Sequence, residues 1–469
     1  MADEPLHIVG FWMNTKSSHT DTQWTHPRDR SLQYKDLEYW KEIARTAERG
    51  KLDAVFFADG FARTSLSYES GLDRATYHGI QWPVNDPLPV IAAMADVTDD
   101  IGLAATFPTE LFHPFIAARR LGTLDHLTNG RFAWNIVTSA NPTMVETIGK
   151  EPTAHDERYD RAEEYMDLCY KYWEHAWEDG AIVAGQPDVS PHQYADPEKV
   201  HKVIHHGEYF DSEAYPQVEP LPQGTPVLYQ AGQSDRGVAF AAKHAEVAFT
   251  RQFSPDGMES YVDRITTEAK KNGRSRDDIK LLLGIVPFVA PTEREAQAKY
   301  ETVYDLIDPE ASLAKMSEHM NYDFLQHDLD EPIDNIREGI SNSADGTVGL
   351  FDAFAQLGAD EDWTLREAGK RYGIGNGSPT PVGTPQQVVD ELLPWRDAGA
   401  DGFMITQADS PGTIQDVVDF LIPELQRRGL FREEYDGGTH REIVGRGGPE
   451  LPENHRAKSD ELREIVRDN

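Results

Sequence analysis

One cysteine in 469 residues, Cys169, leaves no intramolecular disulfide and no Cys-rich metal site to consider. Positive charge is scarce as well. Sixteen lysines and 29 arginines face 81 acidic residues, a formal net charge of −36. So acidic a surface repels nucleic-acid phosphate and anionic lipid, which argues against both as partners; at molar salt, screening makes the self-repulsion tolerable. No apolar run approaches the roughly 20 residues that span a bilayer. The segment Met1–Pro5 is acidic and carries no basic stretch ahead of an apolar one, so a cytoplasmic location is expected. A Gly-x-Ser-x-Gly elbow is missing, which disfavours a serine hydrolase. Gly373, Gly375 and Gly377 precede prolines and follow no strand, so they read as a loop and not as a dinucleotide fingerprint. His201, His205 and His206 have helix-like spacing but lie in a turn-and-strand context without a carboxylate at fixed offset, and no metal is expected there.

What is present is an alternation of short apolar runs with amphipathic stretches. Leu6–Met13, Asp53–Ala58, Ile101–Thr106, Phe132–Val137, Pro226–Gln230, Glu246–Thr250, Lys280–Ala290 and Gly402–Thr406 read as eight strands. Between them lie helical patterns. Tyr34–Gly50 has apolar Leu37, Trp40, Ile43, Ala44 and Ala47 and a glycine stop; 87–98 and 114–128 follow, the latter closing at Asn129-Gly130. Strand-then-helix order predicts a parallel sheet, since each parallel connection needs a crossover, and eight strands favour a TIM (β/α)8 barrel. The expected layout is one barrel domain over 1–445 and a tail over 446–469. Insertions occupy about 140–225, with a long helix near 158–177, and 291–380. The Gly- and charge-rich end beyond Arg432 is expected to be disordered or to strap a neighbouring subunit. Cys169 falls in a helical stretch and reads as packing.

In such a barrel, functional groups gather after the C-terminal strand ends. Asp59 follows the second strand, Thr106 ends the third, and Asn135, Thr138 and Ser139 lie in and after the fourth. Ala231, Gly232, Gln233 and Ser234 lead from the fifth strand into a helix starting near Asp235. A glycine permits close backbone approach, and free amides at a helix start attract an anion. A phosphate could sit there with the hydroxyls of Ser234, Ser139 and Tyr159, although Ser234 serves equally well as a plain helix cap. The Asn135 amide and Thr106 hydroxyl could hydrogen-bond a heteroaromatic ring. These residues alone do not name the ligand.

At the same positions the chain resembles the bacterial-luciferase-like flavin monooxygenases, in the branch of nitrilotriacetate, dibenzothiophene-sulfone and long-chain alkane monooxygenases. The matching stretches are 51–59 (KLDAVFFAD), 119–131 (RRLGTLDHLTNGR), 134–139 (WNIVTS), 155–159 (HDERY), 230–234 (QAGQS), 382–385 (VGTP), 401–403 (DGF) and 423–430 (PELQRRGL). The resemblance runs from about residue 6 to 445. It implies reduced FMN (FMNH2) delivered by a separate flavin reductase, which fits the missing nicotinamide site. It also implies dioxygen as co-substrate and insertion of one oxygen atom, through a peroxyflavin, into a small organic substrate, long-chain hydrocarbons included. The implied FMN contacts are Asp59, Thr106, Asn135, Thr138, Ser139, Ala140, His155, Tyr159 and Ala231–Ser234. His19, Asn14 and Gln81 are the candidate catalytic positions near the reacting flavin edge, and each serves equally well as a structural hydrogen-bond partner. A homodimer or homotetramer is expected on the same ground. The nearest pattern is the long-chain alkane type, through 81–86 (QWPVND), 177–179 (WED) and 194–201 (YADPEKVH). Yet a cysteine there is Thr15 here, one histidine there is Ala140 here, and another is replaced by Lys315, which puts an alkane substrate in doubt. The alternatives are a deazaflavin-dependent hydride-transfer oxidoreductase on the same fold and a flavin-storage protein without turnover.

Overall fold

The structure, a computed structural model, describes residues 4–60, 69–138, 142–320, 322–341, 348–358, 362–445 and 447–467. Eight parallel strands form a closed barrel: β1 (His7–Met13), β2 (Ala54–Ala58), β3 (Gly102–Pro108), β4 (Phe132–Val137), β5 (Val227–Gln230), β6 (Val247–Thr250), β7 (Lys280–Ile285) and β8 (Gly402–Thr406). Their order around the ring is β1-β8-β7-β6-β5-β4-β3-β2, with helices between successive strands. Every strand expected from the apolar runs is present, and the shared TIM-barrel class follows.

The strands read as near-continuous apolar runs because a barrel strand faces side-chain layers inside and helices outside. In β4, Phe132, Ala133, Trp134 and Ile136 are all buried. Each such large side chain contributes about 1.5–3 kcal/mol by leaving water. The helix Leu37–Arg49 shows the complementary pattern: the Asp36 carboxylate accepts from the Glu38 amide at its start, and Trp40, Ile43, Ala44 and Ala47 are buried. Leu37, counted with that apolar stripe from the sequence, is 54% exposed instead, and Tyr39 takes a buried place.

The chain forms two compact units. The first comprises Met1–Ile101, Phe249–Val262 and Leu281–Tyr435. In it β1 pairs with β2 (Val9 opposite Ala54) and with β8 (His7 opposite Gly402), and β8 pairs with β7. The seventh strand was expected to run from Lys280 to Ala290, but it stops at Ile285. Pro287 has no amide hydrogen to continue the ladder. Val286 donates to the Pro379 carbonyl instead, and Phe288–Val289 pairs with Val382–Gly383 as a separate ribbon. The insertion beyond residue 291 builds its own apolar core, with Leu313, Met316, Phe324, Phe354 and Trp363 among its buried members.

The second unit comprises Gly102–Ala248, Asp263–Lys280 and Asp436–Asn469. Here β3, β4, β5 and β6 pair in sequence. The long helix starts at His155, earlier than the apolar pattern suggested, runs to Tyr170 and widens into a π turn at Lys171–His175. The histidine-rich stretch has the turn-and-strand character expected of it: Val203–His206 pairs antiparallel with Asp211–Ala214. His205 bridges Lys171 and Glu164, His206 meets Asp211, and His201 meets Glu178. Cys169 is buried as expected, and burial pushes its thiol up, away from the reactive thiolate.

Where it is described, the chain's end is ordered against its own chain, not disordered as one reading of its composition expected. Arg441 forms a two-point ion pair with Glu246 (2.6 and 3.0 Å) and donates to the carbonyls of Gln223 and Thr225. His440 stacks on Tyr229 and meets its hydroxyl at 3.0 Å, and His455 bonds the His244 carbonyl at 2.9 Å. Charge and glycine suggested solvation, but these charges are spent on buried partners of the same chain. Among the described residues no helix is long and apolar enough to cross a membrane.

Candidate active site

In the second unit, β3 and β4 set Thr106 directly opposite Asn135. Both side chains are buried, and the Asn135 amide donates to the Thr106 hydroxyl at 2.8 Å. That bond fixes the orientation of the amide. The other end, Asn135 Oδ1, is buried without a partner. A lone buried carbonyl oxygen costs about 1–3 kcal/mol, so it marks a place where a ligand donor belongs. Thr138, one residue beyond β4, is buried as well.

The turn after β5 is drawn tight by the Gly232 amide, which donates to Gln230 Oε1 at 2.6 Å. Gly232 and Gly237 pack backbone to backbone; a Cβ on Gly232 would lie 2.6 Å from the Gly237 Cα. Ser234 then caps the helix Asp235–His244, accepting from the Gly237 amide at 3.1 Å. The next amides, of Asp235 and Arg236, have no carbonyl within the helix to meet, which leaves positive partial charge at the turn. His155 and Tyr159 come from the start of the long helix. His155 Nε2 stands 3.4 Å from the Ser234 hydroxyl, and its ring leans on buried Tyr159, centroids 5.3 Å apart. Two arginines, not singled out from sequence, join them. Arg236 lies over the Tyr159 ring and meets Asp160, and Arg264 donates to the Gln233 carbonyl at 2.9 Å. Four of the expected cofactor positions thus meet here: Gly232 and Ser234 on the turn, His155 and Tyr159 from the long helix. Ser139 and Ala140 lie outside the described residues.

The first unit holds the remaining positions. Asp59 follows β2 and accepts from the Gly60 amide at 2.8 Å. Burial pushes its carboxyl up to about 7, the Asp86 charge adding and the Gly60 hydrogen bond opposing. After β1, the Asn14 amide donates to the Asp86 carbonyl and the Thr15 hydroxyl to the Pro83 carbonyl at 2.6 Å. Thr15 is therefore engaged in holding the 81–86 segment. Gln81 opens that segment in a left-handed turn at φ 45°. Asn14 Oδ1, like Asn135 Oδ1, is buried and unpartnered.

His19 packs tilted against Phe11, centroids 4.4 Å apart, beside a group only partly legible in the sequence. Lys315 Nζ meets Asp21 Oδ1 at 2.6 Å and the His19 carbonyl at 3.3 Å, and Ser312 donates to Asp21 Oδ2. Burial pushes the Lys315 ammonium down and the Asp21 carboxyl up, and the contact between them opposes both shifts. One helical turn on, His319 Nδ1 lies 2.6 Å from the Tyr372 hydroxyl. Arg251, immediately after β6, approaches the Tyr372 and Phe253 rings. Burial, with the Lys315 and Arg251 charges, holds both imidazoles far below their usual range, His319 at about 3, so both are neutral at pH 7. The i, i+4 spacing of Lys315 and His319 was the available signal for His319. Arg251, Asp21 and Tyr372 had none.

The sequence model of the luciferase-like monooxygenases matches residues 13–402. The chain belongs to that family. Its members are flavin-dependent monooxygenases that take reduced flavin from a separate reductase, and this chain is one of them. It is 40% identical to a long-chain alkane monooxygenase of Geobacillus thermodenitrificans over 96% of each chain. It is 38% identical to nitrilotriacetate monooxygenase component A of Aminobacter aminovorans over 91% of this chain and 93% of that one. The crystal structure of a Hyphomicrobium sulfonivorans relative superposes with a TM-score of 0.91, at 35% identity and 99% and 97% coverage. For a luciferase-like monooxygenase, a buried amide oxygen awaiting a donor and a glycine turn at a helix start suit the ring and phosphate ends of a flavin mononucleotide.

Proposed function

We propose that this luciferase-like monooxygenase uses FMNH2 and dioxygen to insert one oxygen atom into a small organic substrate, with homo-oligomeric assembly as in the family expectation. The observation that carries the cofactor assignment is Asn135: a buried amide, oriented by Thr106, whose oxygen lacks a donor. A flavin ring N–H supplies one. The phosphate would lie on the turn Ala231–Ser234, against the helix-start amides, the Ser234 hydroxyl, His155 and Tyr159. Thr138, Ser139, Ala140 and Asp59 complete the proposed contacts. Bound FMNH2 supplies the electrons and activates dioxygen; the protein's part is to hold ring and substrate and keep water away.

On the substrate side, the proposed positions are His19, Asn14 and Gln81, with Lys315 and His319 beside His19. A neutral His19 can accept a hydrogen bond or a proton and does not serve as a standing cation. The polar character of this group supports a substrate with a polar handle better than a bare alkane.

The test is incorporation of labelled dioxygen, with FMNH2 regenerated by a flavin reductase, across alkanes, sulfides, sulfones and aminocarboxylates. Label in one organic product supports the proposal. Peroxide release alone across the panel contradicts it, and activity only with a reduced deazaflavin, without label, supports hydride transfer instead.

A further inference from the structure

Arg251 is a charged group whose charge nothing among the described residues answers. It directly follows β6, at the strand end where barrels place functional groups. It donates to the Asn376 carbonyl at 3.1 Å, and its guanidinium lies about 6 Å from the Phe253 and Tyr372 rings. No carboxylate among the described residues pairs with it, and its Nε is buried without a partner. The other cation of the group, Lys315, is different: its charge is met by Asp21 at 2.6 Å. Lys315 plus Asp21 sum to zero, so the cluster keeps the net positive charge of Arg251.

A second observation points the same way. The segment after β1 carries three hydroxyls, on Ser17, Ser18 and Thr20, that are buried and have no partner. His19 sits between them and is close enough to Arg251 and Lys315 to feel both charges. Unsatisfied buried hydroxyls are rare in folded proteins and call for a ligand atom. The hydroxyls can donate and the guanidinium only donates, a set that suits oxyanion oxygens. His19, His319 and Arg251 are partly exposed.

We propose that Arg251, with the hydroxyls of Ser17, Ser18 and Thr20, binds an anionic oxyacid head group, a carboxylate or sulfonate, on the organic substrate. This deepens the monooxygenase reading by naming the substrate class, and it rests on that reading for the word substrate. The binding itself can be tested without turnover. Hexanesulfonate, hexanoate and 1-hexanol are titrated by calorimetry into the wild type, Arg251→Gln and Arg251→Lys, each with and without oxidised FMN. The expected result is binding of an anionic probe well above hexanol. Arg251→Gln should weaken it about tenfold or more, and Arg251→Lys should recover part of the loss. Hexanol binding as well as both anions overturns the proposal. So does an Arg251→Gln protein that keeps its fold, binds the anions unchanged and loses FMN affinity, since Arg251 then serves the cofactor. Absence of labelled-oxygen transfer would overturn the monooxygenase reading while leaving these affinities as measured.

Discussion

Lys315 Nζ lies 2.6 Å from Asp21 Oδ1, with the two side chains 4% and 0% exposed. A buried pair of this kind adds little by existing, because both ions have left water, but breaking it strands one charge. Lys315→Met should therefore cost about 3–5 kcal/mol in urea unfolding. The double variant Asp21→Asn/Lys315→Met should recover most of that loss. Equal losses in single and double variants would show that Lys315 acts through packing.

Asp59 titrates near neutrality. Its carboxyl sits at about 7 in the folded chain against 3.8 ordinarily. Between those values the folded state holds a proton that the unfolded state has released. The stability from this group is full below its ordinary pKa and is lost as pH rises through about 7. Asp59→Asn should thus raise Tm more at pH 8 than at pH 5. A gain of the same size at both pH values would mean that burial does not hold the proton on Asp59.

Gly232 is placed by close approach. Its Cβ would meet the Gly237 Cα at 2.6 Å, and a backbone atom cannot swing aside as a side chain can. Gly232→Ala should cost about 1–3 kcal/mol of stability through forced backbone movement. FMN affinity should fall further than in Ser234→Ala, which loses one hydroxyl. Unchanged melting of Gly232→Ala would contradict the tight turn.

The chain's end is part of the fold. Arg441→Met leaves Glu246 buried and unpaired, with an expected loss of about 3–5 kcal/mol. Truncation after Tyr435 should be at least as costly. A truncated chain with the melting temperature of the full one would restore the picture of a solvated tail.

The barrel was legible because each strand is an apolar run bounded by turn residues, a local signal. β4 was read to the residue, Phe132–Val137, and β8 likewise. The overrun of β7 turned on one proline whose consequence depends on Pro379, almost a hundred residues away. His155, Tyr159 and Ser234, the proposed phosphate contacts, could be singled out because the family resemblance marks them and the turn has its own local logic; the structure brings them together. The charged group could not be, apart from Lys315. Asp21, Arg251 and Tyr372 belong to three distant segments, and only folding brings them to Lys315. The tail failed for a related reason: Arg441 and Glu442 look alike in composition, but one is buried against Glu246 and the other is exposed.

The claim on which the rest depends is that Asn135 holds the flavin ring. The direct measurement is an anaerobic titration of FMNH2 into the wild type and Asn135→Leu, with circular dichroism confirming that both remain folded. The Asn135 oxygen waiting for a donor predicts that the leucine variant binds FMNH2 about tenfold or more weakly. Equal affinity in two folded proteins would contradict the assignment and move the flavin elsewhere.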